Sequence, residues 1–194
     1  MKATILIKGK FKGKYRTESE RLQGFDYGTD GAYLITLRSH KFKRIFSDIY
    51  NAEANLTPLG KIIDEELGST RELRGYATVT EWMIMPDHIH IVIFIHKDSD
   101  GPEHLAPKGS YLYFPEGYIN KFGPQSENLA SVIRGIKSAV TSRAKKSGLQ
   151  IPIWQANFYE HIIRNEIELR ALVNYIRENP AAWEKKNCFP ERLS

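Results

Sequence analysis

Apolar and β-branched positions gather into patterned stretches separated by turn chemistry. Gly31–Arg38 (Gly-Ala-Tyr-Leu-Ile-Thr-Leu-Arg) predicts a buried strand, and residues 43–49 a short partner strand. Thr57-Pro58 predicts a helix start, with threonine as N-cap and proline at the first helical position. Leu59, Ile62, Ile63 and Leu67 follow at helical spacing, and Gly68 is the expected end. Residues 76–85 predict a strand that Pro86-Asp87 turns into residues 88–95, an antiparallel hairpin. Residues 129–146 predict an amphipathic helix with Leu129, Val132, Ile133, Ile136 and Val140 as its seam and Gly148 as its terminator. Residues 151–163 read as a strand. A last helix runs from Asn165 as N-cap to Glu178, its seam Leu169, Leu172, Val173 and Ile176; Asn179-Pro180 should stop it.

This order predicts an α+β fold, an antiparallel sheet with helices packed on one face, in a ferredoxin-like split βαβ arrangement. Residues 97–126 break the pattern with Gly, Pro and Asp, and read as a long loop. Tyr111, Tyr113, Phe114, Tyr118 and Phe122 punctuate it; they either anchor the loop or stack on exposed bases, and anchoring is favoured. The expected organisation is a basic N-terminal arm over 1–24 and a single domain over 25–194 that carries this loop.

Composition narrows the class. At 194 residues and 41% hydrophobic, the chain can build one domain with a core. Its formal net charge of +5 is unevenly spread. Lysines 2, 8, 10, 12 and 14 with Arg16 crowd the arm; Arg38, His40, Lys41, Lys43 and Arg44 form a second cluster; Arg134, Lys137, Arg143, Lys145 and Lys146 a third. Each alone fits an ordinary solvated surface, but three together raise the expectation of a nucleic-acid partner. The lone cysteine, Cys188, excludes an internal disulfide and a thiolate metal cluster, which fits a reducing cytoplasm. No apolar run is long enough to span a bilayer, and residues 3–7 are too short for a secretory signal, so no membrane partner is expected.

The chemistry concentrates at two places. On a strand over 88–95, His88, His90, Val92 and Phe94 share one face and Ile89, Ile91, Ile93 and Ile95 the other. Two imidazoles on one face suit two ligands to one metal ion; the alternative is a pair of polar caps on a core strand. On the last helix Tyr175 and Asn179 are four residues apart and share one side, at the edge of the apolar seam. Asn179 offers a carbonyl oxygen as a third ligand. Tyr175 offers a phenol able to attack phosphorus once a metal polarises the phosphate. Separately these are a C-terminal helix residue and a boundary aromatic; beside His88 and His90 they make a site.

Met-Pro-Asp-His-Ile-His (85–90), residues 130–142 with Ile-Lys-Ser, Trp-Gln-x-x-Phe-Tyr-Glu-His-Ile-Ile-Arg-Asn-Glu (154–166) and Tyr-Ile-x-x-Asn-Pro (175–180) together resemble the REP-associated tyrosine transposases, the single-tyrosine branch of the HUH endonuclease superfamily. The resemblance covers roughly residues 25–185. It implies a ferredoxin-like fold of HUH type and metal-dependent cleavage and rejoining of single-stranded DNA near hairpins. His88 and His90 would be the histidine pair, Asn179 the further ligand, magnesium or manganese the metal, and Tyr175 the nucleophile of a 5′-phosphotyrosine link. Arg134, Lys137 and Lys145, with Arg38, Lys41 and Lys43, are the expected DNA contacts.

Some positions stay open. Asp87 stands where relatives often carry asparagine; it either perturbs His88 or hydrogen-bonds it from outside the ligand shell. Glu160 and His161 either support the site or belong to a packed strand. The resemblance leaves monomer and homodimer open, and implies a cytoplasmic, nucleoid-associated protein. The competing functions are a non-cleaving structured-DNA-binding protein, a water-using phosphoesterase in which Tyr175 is structural, and a relaxase or replication-initiator nickase.

Overall fold

The computed structural model describes residues 30–73, 75–96 and 127–187, together with two short strands near the N-terminus. The rest of the N-terminal arm, the loop over 97–126 and Cys188 lie outside the described residues. Strands β1 (Lys10–Phe11) and β2 (Tyr15–Arg16) pair antiparallel and belong to a unit separate from the one that carries the main sheet.

The larger unit contains β3 (Gly31–Arg38), β4 (Ser47–Tyr50), β5 (Glu53–Leu56), α1 (Pro58–Leu73), β6 (Ala77–Ile84), β7 (His88–Ile95), α2 (Leu129–Lys146), β8 (Tyr159–Ile163) and α3 (Glu166–Asn187). Four strands form one antiparallel sheet in the order β6-β7-β3-β8. A hairpin, β6–β7, inserts so that β3, the first of the four in chain order, lies between the third and fourth. This is the expected α+β ferredoxin-like arrangement.

Strand parity assigns the faces. Tyr33, Ile35 and Leu37 on β3 and Ile89, Ile91, Ile93 and Ile95 on β7 are fully buried on one face. Trp82, opposite Ile91, donates its indole N–H to Asp64 of α1 at 2.7 Å, which marks this as the α1 side; α2 packs beside α1. On the other face Ala32, Val92, Phe94 and Ile163 pack with Ile176 of α3, flanked by Leu34, Met83, Leu169, Leu172 and Val173. The helices therefore do not share one face as expected, because both faces of β3 and β7 are apolar and each needs cover. A register shift between Val79 and Glu81 contributes: Val79 lies opposite Ile93, but Glu81 lies opposite Val92, so Glu81 and Met83 face α3 while Trp82 faces α1.

Several element boundaries differ from the sequence expectation. Residues 43–46 are not strand; β4 starts at Ser47 and pairs with β5 rather than with the main sheet. Gly68 does not end α1, which runs to Leu73; buried Leu67 and Thr70 carry its inner face past the glycine. Of residues 151–163 only Tyr159–Ile163 is strand, although Ser39 and Trp154 form an isolated bridge. Pro180 does not stop α3, which continues to Asn187. A helix-interior proline lacks the N–H that would bond the carbonyl four residues back. Here the ring is buried and the following turns are docked: the Ala52 N–H donates to Glu184 (2.9 Å), and Arg44 donates to Asn187 Oδ1 (2.8 Å). Among the described residues no helix is long and apolar enough to cross a membrane.

The turn before His88 is fixed by backbone bonds. Pro86 O accepts from the N–H groups of Ile45 (2.9 Å) and Phe46 (3.1 Å), and Asp87 O from Ser39 N–H (2.9 Å). Phe46 O in turn accepts from Thr57, whose hydroxyl also caps α1 through the Gly60 N–H at 3.0 Å. A Cβ on Gly60 would lie 2.1 Å from Phe46 O, so only glycine lets α1 approach this carbonyl. Gly60→Ala should therefore destabilise the fold by about 1–3 kcal/mol, the usual range for overpacking. Urea unfolding of the variant against wild type measures it; an unchanged midpoint would show that the close approach is not a constraint.

Candidate active site

Along the α3 face of the sheet the paired positions change character. Ala32 lies opposite Phe94 and Leu34 opposite Val92; then Thr36 lies opposite His90 and Arg38 opposite His88. On α3, Leu169, Leu172, Val173 and Ile176 cover the apolar half. Where the apolar pairs stop, an open cleft of about 330 Å³ begins, lined by Thr36, Arg38, His88, His90, Tyr159 and Tyr175.

The sequence-predicted core of the site does converge. The His88 and His90 rings meet edge-on with centroids 4.8 Å apart, and the Tyr175 ring lies 5.6 Å from His90. His88 Nδ1 pairs with the Asp87 carboxylate at 2.6 Å, and His90 Nδ1 with the Thr36 hydroxyl at 3.0 Å. Each imidazole thus has one nitrogen committed to an orienting partner, the arrangement that leaves Nε2 to act as a ligand. Burial, reinforced by His88 and by the Arg38 guanidinium, lowers the His90 pKa to about 4, so its ring is neutral near pH 7.

Tyr175, Asn179 and Trp183 recur every four residues on one stripe of α3. Trp183 lies 5.8 Å from the His88 ring, so Asn179 sits between the two helix–histidine contacts. The Asn179 amide donates through Nδ2 to the Tyr175 carbonyl at 3.1 Å, which leaves Oδ1 as its accepting end. Among the described residues no group of three or more His, Cys, Asp or Glu side chains is placed to hold a metal ion. Two imidazoles and one amide oxygen nevertheless fit a divalent cation as a donor set.

Other predicted residues lie elsewhere. Arg38 alone of the six expected DNA contacts lines the cleft. Lys41 and Lys43 are exposed beside it. Arg134, Lys137 and Lys145 belong to α2 on the opposite side of the sheet. Lys137 turns inward, donating to the carbonyls of Gln155 (3.1 Å) and Asn157 (2.6 Å), and burial lowers its pKa to about 8. With Lys145, Thr141 and Trp154 it lines a second pocket of about 440 Å³. Glu160 lies opposite Ile35, on the α1 side and away from the cleft. His161 is on the α3 side, but pairs with Glu168 at 2.8 Å and fastens the first turn of α3 to β8. Thr36, Tyr159 and Trp183 were not anticipated. Thr36 was legible as the polar residue two places before Arg38 in an aliphatic strand; Trp183 lay beyond the expected end of its helix.

No protein-family model matches the chain. A Haemophilus influenzae (strain Rd KW20) protein of uncharacterised function is 29% identical over 177 residues, 91% of this chain and 95% of that protein. The solved REP-associated tyrosine transposase bound to a REP hairpin superposes with a TM-score of 0.51 at 20% identity, over 86% of this chain and 74% of that one. This chain shares its fold. A candidate transposase from Deinococcus radiodurans R1, with a TM-score of 0.38 and 12% identity over 84% of this chain and 98% of that one, is too distant to add to that.

The His90 pKa carries a sign. Because the folded value of about 4 lies below the ordinary histidine value of 6.5, the unfolded chain binds the extra proton between these limits. Stability should fall as pH drops from about 6.5 to 4, by as much as about 3 kcal/mol from this residue. Urea unfolding across that range, with EDTA present, should show a flatter profile for His90→Gln; equal slopes would contradict the shift.

Proposed function

We propose that this chain is a DNA transposase-like single-strand endonuclease and strand transferase acting at hairpin-associated DNA through a 5′-phosphotyrosine intermediate. The observation that carries this reading is the packing of Tyr175 against His90 in a cleft shared with His88 and Arg38. The fold shared with the hairpin-bound transposase supports it.

In this reading His88 and His90, through Nε2, and Asn179, through Oδ1, hold magnesium or manganese. When bound, the ion polarises the scissile phosphate and stabilises the charge that develops on it. Asp87 and Thr36 orient the two imidazoles, and Trp183 packs on His88. Arg38 brings a permanent positive charge to the phosphate. Tyr175 Oη attacks phosphorus, forming the phenolic O–P bond and breaking the bond to the departing 3′ oxygen. The proton lost by the phenol is balanced by the one that oxygen gains as it leaves as a 3′-hydroxyl. The phosphodiester is kept as a phosphotyrosine ester, so a second 3′-hydroxyl can reverse the step. Such a protein would work at the nucleoid in the cytoplasm.

Incubation with a hairpin-bearing single-stranded oligonucleotide and manganese should give a covalent adduct resolved on a denaturing gel. Tyr175→Phe and EDTA should each abolish it. An adduct that survives Tyr175→Phe removes the nucleophile assignment; DNA binding without an adduct in either metal favours the non-cleaving reading. Asp87→Ala should weaken manganese binding, measured calorimetrically, by roughly ten- to a hundredfold, the usual cost of losing a ligand's orienting partner. Unaltered affinity would make Asp87 a turn residue only.

A further inference from the structure

At the rim of the cleft the short turn His40–Phe42 holds two consecutive non-glycine residues in the left-handed region, Lys41 (φ 56°) and Phe42 (φ 55°). Bulky side chains avoid this conformation, which persists only where surrounding structure enforces it. Here buried Ser39 enforces it: its hydroxyl donates to Lys43 O at 2.7 Å, and its carbonyl accepts from Phe42 N–H at 3.3 Å. The strain brings no burial, since Phe42 remains 52% exposed. A second ring, Tyr159, 63% exposed, also stands beside the Arg38 guanidinium. The guanidinium carbon is 5.1 Å from the Phe42 centroid and 5.7 Å from the Tyr159 centroid. Two solvent-facing aromatics therefore adjoin a permanent cation beside Tyr175, and hydrophobic packing accounts for neither.

We propose that Phe42 and Tyr159, both beside Arg38, form a stacking platform for unpaired nucleobases next to the nucleophile. Aromatic faces bind bases of any identity, and a flanking guanidinium suits the phosphate that joins two of them. A paired duplex hides its base faces, so the platform selects single-stranded DNA. This deepens the proposed function and rests on it for the identity of the ligand.

The test is fluorescence anisotropy in a Tyr175→Phe background, where no adduct forms. The probes are a labelled dT12 strand, the same strand with its central nucleotides replaced by abasic sites, and a 12-base-pair duplex. The parent should bind dT12 roughly fivefold or more tightly than the abasic strand. Phe42→Ala with Tyr159→Ala should erase that difference and leave duplex affinity unchanged, and Phe42→Trp should retain it. Equal affinity of the parent for intact and abasic strands, a difference that survives in the double variant, or a matching loss on duplex would each overturn the platform while leaving the nuclease reading standing. A parent that binds none of the probes would remove the DNA reading and the platform with it. The substituted rings are exposed, and the abasic comparison changes no protein residue.

Discussion

One face of the sheet is apolar for only half its length, and a single helix has to cover it. On that face Ala32, Leu34, Val92, Phe94 and Ile163 need burial, whereas Thr36, Arg38, His88 and His90 do not. Helix α3 lies across it, held by polar contacts at both sheet edges: Glu168 pairs with His161 on β8, and Arg177 makes two 3.0 Å bonds to Glu81 on β6. These strands are the outer two of the four, so the residues between the clamps must pass over β3 and β7. Ile176 enters the apolar half, and Tyr175, one residue earlier and turned toward the polar half, meets His90. The position of the tyrosine is thus a consequence of hydrophobic cover, with the exposed polar contacts setting direction more than adding stability.

The same face explains the electrostatics. His90 sits where the apolar core ends, buried enough to be held neutral, with Arg38 nearby adding to the cost of a proton. His88, one pleat further out, meets the Asp87 carboxylate instead. The two imidazoles are therefore differently supported, one by a hydroxyl and one by an acid, while their rings remain in contact. That asymmetry follows from depth along one strand.

Much of this was legible in the sequence, for definite reasons. β3 and α2 match their predicted limits because one is an uninterrupted β-branched and aromatic run and the other an uninterrupted 3.6-residue period, each ending in clear punctuation. The histidine pair followed from strand parity, and the approach of Tyr175 to it from helical phase combined with the resemblance. What failed was any feature whose cause is remote in sequence. The bulge at Val79–Glu81 has no local signature, yet it decides which of Glu81 and Trp82 faces α3. Pro180 reads locally as a stop, and only contacts with residues 44–52, more than 120 positions earlier, overrule it. The basic stripe of α2 looked like a surface, but Lys137 spends its charge on two carbonyls of the segment that follows.

The proline divides α3 into two parts with separate dependencies. Before it, the apolar seam on the sheet fixes Tyr175. After it, the helix is held by Arg44, which both bonds Asn187 and lies 5.4 Å over the Trp183 ring, and by the Glu184 bond to Ala52. Trp183 then packs on His88. The second half thus ties the outer histidine to the β4–β5 hairpin, just as the first ties the inner histidine to the core. Asn179, at the junction, is the one stripe residue whose placement depends on both. A helix that obeyed its proline would keep Tyr175 against His90 and lose the contact on His88, so the two histidines would no longer be held by one rigid element.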